Sequence, residues 1–343
     1  METRLFDSND KNSIKEVAEI LKNGGLVAIP TETVYGLAAN AFNEEACANI
    51  FKAKGRPGDN PLIVHICDLS MLKDIVTEFP EGAKKLAEKF WPGPLTMIMK
   101  KSDKIPMVTS ANLPTVAVRF PAHPVAQAII RESGLPLAAP SANLSGSPSP
   151  TTFQHCVNDL MGRVEGIIDG GACSVGVEST IISFAGDVPV LLRPGYVTLE
   201  QLREVLGEVE LSRAVVNKLE EGEKVLSPGM KYKHYAPKAR VSMVKGSSEK
   251  FTSFVNEKEK EEGGENFYAL CFREDVPALN CKTVEYGSEF SDEEQAERLF
   301  DALRELDDIK AERVYAHSPK MSGVGLAVYN RLIRAAGFDV IEL

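Results

Sequence analysis

The 343-residue chain lacks most of the short signatures that announce a chemistry. Its six cysteines, at positions 47, 67, 156, 173, 271 and 281, form no C-x-x-C pair and have no histidine at zinc spacing. A zinc ribbon and a dithiol redox centre are excluded, and reduced thiols in a cytoplasmic protein are expected. No run of about 18 apolar residues occurs, which argues against a membrane-spanning helix. The polar opening METRLFDSNDKNS has no apolar core of the kind a signal peptide needs. Neither G-x-x-x-x-G-K-[ST] nor G-x-S-x-G is present, so a P-loop cradle and a serine-nucleophile elbow are both missing. Positive charge is scarce as well: 39 Lys and Arg stand against 49 Asp and Glu, for a net charge of −10 and a pI near 5.2. A protein whose main task is gripping nucleic acid would carry the opposite balance.

What remains is an ordinary soluble composition, 43% hydrophobic and 26% charged, on a chain long enough for two domains. Acidic residues crowd 200–223, 249–265 and 285–308, so a local basic cleft elsewhere stays open.

Ser13-Ile-Lys-Glu16 has the S-x-x-E spacing of a capping box, followed by an apolar helical face of Ile14, Val17, Ala18 and Leu21. Gly24-Gly25 ends that helix, and Leu26–Ile29 reads as a buried strand closed by Pro30. Thr31-Glu-Thr-Val-Tyr-Gly36 then stands at a strand's C-terminal end, where open α/β sheets bind ligands. The competing reading is a polar turn with its tyrosine packed inward. A helix over 44–52 leads into K-G-R-P-G-D-N-P-L-I-V-H-I at 54–66. In an extended turn Lys54 and Arg56 share a face, an arrangement suited to a polyphosphate, and a solvated loop is the plain alternative.

Leu62–Ile66 is the next strand, with His65 as its titratable member. Helices near 71–76 and 81–90 precede W-P-G-P at 91–94, and strands at 95–99 and 115–120 follow. Arg119 lies within the second of these, where a charge is costly to bury without a partner. It therefore faces solvent or meets an anion in a cleft. A helix over 125–131 and a strand over 135–140 run into Ser141-Ala-Asn143-Leu-Ser-Gly-Ser-Pro-Ser-Pro150. Its hydroxyls, amide and turn N–H groups can serve an anion, or the segment is a flexible loop. Strands near 167–169, 177–183 and 188–193, the last ending in Arg193-Pro-Gly, and an amphipathic helix over 198–206 complete a first domain at about Gly207.

Residues 208–238 lack periodicity and end in S-P-G-M-K-Y-K-H-Y-A-P at 227–237, a run too rich in cations and aromatics for a passive spacer. Strands at 241–244, 267–271, 313–317 and 340–343 then alternate with helices at 248–261, 292–306 and 326–336, which implies a small, mostly parallel sheet. S-G-V-G at 322–325 is a thin anion-loop signal. The expected organisation is a catalytic domain over 1–207, a linker or active-site lid over 208–238 and a C-terminal α/β domain over 239–343.

Together T-E-T-V-Y-G-L, K-G-R-P-G-D-N-P-L-I-V-H, T-V-A-V-R-F-P, A-A-P-S-A-N-L-S-G and G-V-E-S-T-I-I resemble the YrdC-type fold of threonylcarbamoyl-adenylate synthases, over about residues 15–207. The 227–237 run and the trailing α/β segment resemble the two-domain form of that family. The resemblance implies a twisted mixed YrdC-like sheet with helices, followed by a smaller Rossmann-like α/β domain. It implies the reaction of L-threonine, bicarbonate and ATP, with Mg²⁺, to L-threonylcarbamoyl-adenylate and pyrophosphate. The product feeds threonylcarbamoyladenosine modification of tRNA beside the anticodon, through a separate transferase complex and with weak or no direct tRNA binding by this chain.

By the same correspondence Lys54 and Arg56 are the catalytic cations. The ATP site is Lys54, Arg56, Asn60, Thr115, Ser141, Asn143, Ser149, Arg193 and Tyr235, and the threonine site is Thr33, His65, Arg119, Ala139 and Ser179. No metal ligand of the protein's own is expected, Mg²⁺ entering with ATP. The lid would exclude water from a labile mixed anhydride, with Tyr235 touching the nucleotide. The rivals are a YrdC-type RNA-binding module without adenylating activity and the carbamoyltransferase of hydrogenase maturation. The zinc-finger cysteine pairs and acylphosphatase domain of the latter are missing here.

Overall fold

The computed structural model describes residues 1–58, 60–217 and 235–343. The lid segment expected over 227–237 therefore lies outside the described residues except for its last three positions. The chain divides into two compact units, Met1–Ser145 with Ser149–Lys231, and Gly146–Pro148 with Tyr232–Leu343.

The strands of the first unit are β1 (Arg4–Asp7), β2 (Val27–Ile29), β3 (Gly36–Asn40), β4 (Ile63–His65), β5 (Leu95–Lys100), β6 (Thr115–Arg119), β7 (Leu137–Ala138), β8 (Gly166–Asp169), β9 (Thr180–Ser183), β10 (Val190–Arg193) and β11 (Glu210–Leu211). They form one sheet in the order β1-β8-β2-β3-β7-β4-β6-β5-β9-β10-β11, with parallel and antiparallel neighbours mixed. The helices are α1 (Lys11–Lys22), α2 (Glu44–Lys54), α3 (Leu72–Ile75), α4 (Glu81–Phe90), α5 (Pro124–Ser133), α6 (Phe153–Leu160) and α7 (Leu199–Leu206).

Side chains alternate across a strand, so the sheet has two faces to cover. One face is packed along its length: Leu37, Val64, Met97, Val118, Ile182 and Leu191 share a core with Ile50 of α2, Leu86 of α4 and Leu202 of α7. The opposite face is covered on one side only. There Val27, Ile29, Leu137 and Ile168 meet Val17 and Leu21 of α1 and Ile129 and Ile130 of α5. Further along that face Ile63, Ile98, Ala117, Ile181 and Leu192 form a small patch that no helix residue joins among the described residues. A sheet face left without a helix is where a cleft forms.

Several local expectations change. The cap of α1 is Asp10, whose side chain accepts from the Asn12 amide, while Ser13 is buried inside the helix; the S-x-x-E box at Ser13 is a coincidence of spacing. α2 runs through Lys54, with Gly55 as its left-handed C-cap at φ 62°. Lys54 is helical, so the shared face that an extended segment would give Lys54 and Arg56 does not exist. The sheet also continues past Gly207, since β11 pairs with β10. A reciprocal capping box is present instead at α7, between Thr198 and Gln201.

The second unit holds β12 (Arg240–Lys245), α8 (Ser248–Glu262), β13 (Phe267–Cys271), β14 (Lys282–Glu285), α9 (Asp292–Asp308), β15 (Arg313–His317), α10 (Gly325–Ala335) and β16 (Val340–Glu342). Its sheet runs β14-β13-β15-β12-β16, parallel throughout, as helical crossovers require. β14 has no counterpart in the sequence reading. Lys282-Thr-Val-Glu is charged at both ends and only Val284 is buried, so it reads as loop until it finds an edge. The S-G-V-G signal at the start of α10 is answered from inside the protein: the Gly325 amide donates to Asp292 Oδ2 at 3.2 Å.

Candidate active site

The helix-free patch is ringed by polar side chains on the same sheet face. Alternation puts Thr115, Ala117 and Arg119 on one side of β6, and register sets Arg119 beside both His65 of β4 and Thr96 of β5. Arg193 reaches that face through an irregularity. Regular pairing runs Val190↔Ser183 and Leu191↔Ile182, and then Arg193, rather than Leu192, pairs with Ile181. The extra residue is a β-bulge, and it turns Arg193 from the packed face toward the open one.

These groups are joined by hydrogen bonds. Arg119 is 4% exposed; its Nη1 donates to Thr33 Oγ1 at 2.7 Å and its Nε to the Gly93 carbonyl at 3.3 Å. Its Nη2 stands 2.8 Å from Glu32 Oε1. Thr33 is fixed by Thr31, whose hydroxyl lies 2.9 Å away and donates to the Val34 carbonyl. On the other side, Thr96 Oγ1 meets Ser179 Oγ at 2.7 Å, and Arg193 donates through Nε to the Ser179 carbonyl and through Nη2 to its hydroxyl. Next in the chain, Glu178 accepts from Ser149 Oγ at 2.6 Å.

Burial controls the ionisation here. His65 is held down to about 3, by desolvation first and by the Arg119 charge second, so it is neutral near pH 7; its Nδ1 lies 3.0 Å from the Ile63 carbonyl. Burial pushes the Glu32 carboxyl up, but the close Arg119 charge outweighs it and holds Glu32 below its ordinary value. Glu32 is thus an anion in the pocket.

The 141–150 segment is shaped by Lys54. Its ammonium is buried and donates to the carbonyls of Ser141 and Asn143. Ser141 Oγ donates to Asn143 Oδ1 at 2.6 Å, and the Leu144 amide to Asp159 Oδ2. This loop is stitched to the 31–36 segment by the Ala142 amide on the Tyr35 carbonyl and the Tyr35 amide on the Pro150 carbonyl. Tyr35 is fully buried, with its hydroxyl donating to the Gly171 carbonyl at 2.7 Å, so the inward-packed alternative holds for this residue. Ala139 donates its amide to the Ile63 carbonyl, bringing the loop's root beside β4.

The residues singled out from sequence fall into three groups. Strand register sets two hydrogen-bonded pairs, Thr33–Arg119 and Ser179–Arg193, beside each other and beside His65 as one cluster; Lys54, Ser141 and Asn143 form a second, joined to the first through Ala139 and the 31–36 segment. Thr115 opens β6 while Arg119 ends it, which separates them by about 13 Å at strand rise. Asn60 precedes β4 at the Thr115 end, 1% exposed, with both side-chain amide atoms unpartnered among the described residues. Arg56 is half-buried just beyond the α2 cap. An extended ligand is needed to touch both ends. Tyr235 belongs to the second unit, buried, with φ 64° and its ring 5.1 Å from that of Phe300. Sequence reasoning missed Glu32, Thr96 and Glu178. The signal for Glu32 was present: an Arg in an apolar strand demands a carboxylate, and one stands between Thr31 and Thr33.

Comparison with known proteins places the chain in a family. Residues 19–195 match the Sua5–YciO–YrdC family model, described as telomere recombination, and residues 197–337 match the model of the threonylcarbamoyl-AMP synthase C-terminal domain. A Bacillus subtilis threonylcarbamoyl-AMP synthase is 47% identical over 99% of this chain and 97% of its own length. One from Pyrococcus abyssi is 44% identical, covering 96% of each. The crystal structure of P. abyssi Sua5 complexed with L-threonine superposes with a TM-score of 0.93 at 42% identity, over 99% of this chain and all of that one. This chain belongs to the two-domain threonylcarbamoyl-AMP synthase family.

Proposed function

We propose that this protein is a nucleotidyltransferase that converts L-threonine, bicarbonate and ATP to L-threonylcarbamoyl-adenylate and pyrophosphate. The observation that carries the reading is the pair of hydrogen-bonded sets Thr33–Arg119 and Thr96–Ser179–Arg193 around a sheet patch that no helix residue joins among the described residues. It lies in the same unit as a loop ordered by Lys54.

The chemistry asks for positioning and charge stabilisation. A carbamate oxygen attacks the α-phosphorus in line with departing pyrophosphate, and no covalent enzyme intermediate is required. Arg119 takes the amino acid's carboxylate as a fork. Thr33 and Ser179 read its hydroxyl, and neutral His65 packs beside them with the Ala139 backbone. Asn60 and Thr115 take the nucleoside end, matching the unspent amide of Asn60. Arg56, Arg193, Ser141, Asn143 and Ser149 face the phosphates, with Lys54 keeping the loop in register.

In this reading Mg²⁺ arrives on the ATP phosphates rather than on ligands of the protein's own. Such an ion would screen charge on the departing pyrophosphate. A separate transferase then consumes the adenylate on tRNA, in keeping with the acidic charge of −10. Among the described residues no helix is long and apolar enough to cross a membrane.

The test is pyrophosphate release with ATP and bicarbonate, with and without L-threonine, with the adenylate identified by mass. Threonine-dependent release is expected. Release that ignores threonine, or salt-sensitive tRNA binding with no release at all, overturns the assignment.

A further inference from the structure

Glu32 sits in the pocket without a role in the reaction described above. Its side chain is 10% exposed, and its Oε1 approaches Arg119 Nη2 to 2.8 Å. The approach is close but off-axis: neither Glu32 oxygen nor Arg119 Nη2 is in a well-angled hydrogen bond among the described residues. Buried polar atoms are normally satisfied, so a carboxylate and a guanidinium that both keep unspent capacity need a reason. Packing does not force the misfit on Arg119, which is well held elsewhere, by Thr33 through Nη1 and by Gly93 through Nε.

The titratable groups that neighbour the pair add no charge of their own near pH 7. His65 is neutral near pH 7, held down to about 3 by burial. His123, also near Glu32, is lowered from its ordinary value by burial, and its Nδ1 accepts from the Val125 amide. Burial pushes the Cys173 thiol up to about 12. Beside these uncharged neighbours the Glu32 anion and the Arg119 cation balance each other, while Arg193, the other cation of the cluster, is engaged by Ser179; a buried pair without net charge penalises a ligand of net charge.

We propose that Glu32 is the specificity-determining partner of the substrate's α-ammonium, and that the Glu32–Arg119 pair is opened by a zwitterion whose carboxylate goes to Arg119 and whose ammonium goes to Glu32. This rests on the reading of the pocket as a threonine site. A free α-amino acid carries its two charges a few ångströms apart, which suits a carboxylate and a guanidinium already side by side. It supplies each with the aligned partner it lacks. An acid without the amine brings a second anion and leaves Glu32 without a counter-charge.

The test is calorimetric binding of L-threonine, 3-hydroxybutyrate (threonine without its amine) and threoninol (threonine without its carboxylate) to the wild-type chain and to Glu32→Gln at pH 7. In the wild type both analogues should bind at least about tenfold more weakly than threonine, the scale of one charge-assisted contact. In Glu32→Gln threonine should weaken by at least about tenfold while 3-hydroxybutyrate holds or improves, so the preference collapses. Glu32→Asp, which keeps the charge, should retain the preference.

Equal loss of both acids in Glu32→Gln would make Glu32 a prop for Arg119 and overturn the proposal, as would unchanged threonine binding. If Glu32→Gln does not fold, the wild-type series decides alone: 3-hydroxybutyrate binding as tightly as threonine overturns it. Failure of the wild type to bind threonine at all would instead overturn the threonine reading of the site.

Discussion

Each unit buries a histidine at the C-terminal end of a parallel strand, and the two are used differently. His317, ending β15, has Nδ1 at 2.7 Å from Asp275 Oδ2 and Nε2 at 3.1 Å from the Gly246 carbonyl. Phe251 stacks on its ring at 4.2 Å and 9°, Phe272 lies at 4.6 Å, and the Tyr286 hydroxyl donates to its carbonyl. Asp275 Oδ1 is the one atom of this cluster left without a partner among the described residues. His65, ending β4, has the Ile63 carbonyl on Nδ1 and the Arg119 charge nearby, and its neighbours Glu32 and Arg119 keep unspent donors and acceptors. A strand's C-terminal end is therefore no proof of a site. Sealed by aromatic rings and internal bonds, it is a structural knot; left with unmatched charges on a face that no helix covers, it is built for a ligand.

The strongest way to break this contrast is to remove the central cation of the open cluster. Arg119→Ala leaves Glu32 buried without its counter-charge, a loss of about 3–5 kcal/mol for a broken buried pair. Threonine-dependent pyrophosphate release should fall by at least about a hundredfold, equivalent to about 3 kcal/mol. Retention within tenfold would show that the pocket does not work through this residue.

The matching change in the sealed cluster is His317→Ala, which strips the Asp275 contact and the stacking on Phe251. It should cost about 2–4 kcal/mol of stability in urea denaturation while the threonine KM stays within about twofold. A threonine KM that rises with the destabilisation would erase the distinction between knot and site.

How much of this was legible beforehand depends on whether a feature is local. Strand 267–271, strand 313–317 and helix 81–90 are continuous patterns, and the structure reproduces their limits. The motifs around Thr33, Lys54, Arg119 and Ser141 were also visible, because each is a polar interruption of an apolar run. What the sequence hides is relational. Glu32 and Arg119 are 87 positions apart and meet only when β2 and β6 are placed in one sheet. The face on which Arg193 lies is set by one surplus residue, Leu192, in a register that only pairing with β9 reveals. Lys54 looked like a loop cation because the expected helix stopped at residue 52; with Gly55 as its left-handed cap the helix runs two residues further, through Lys54.

The smallest effect separates the two clusters by acid. His65 has a folded value near 3 against 6.5 for an ordinary histidine, with desolvation as the first cause. The unfolded chain therefore binds more protons between those values, and stability falls as pH drops through that window. Full stability is present above about pH 6.5, and each unit of acidification removes at most about 1.4 kcal/mol. Between pH 6.5 and 5 the wild type should lose up to about 2 kcal/mol through this residue, before Glu32, whose carboxyl is held below 4.5, begins to contribute. His123 is lowered too and adds a loss of the same sign, but it does so equally in a variant that keeps it. His65→Gln has no proton to bind, so its stability–pH curve in that interval should be flatter than the wild type's by about this amount. Urea titrations of both proteins at half-unit steps measure the difference directly. Parallel curves would mean that His65 takes up its proton in the folded state as readily as in the unfolded one. The Glu32–Arg119 pair would then have a further cation beside it, and the charge balance on which selection of a zwitterion depends would not exist.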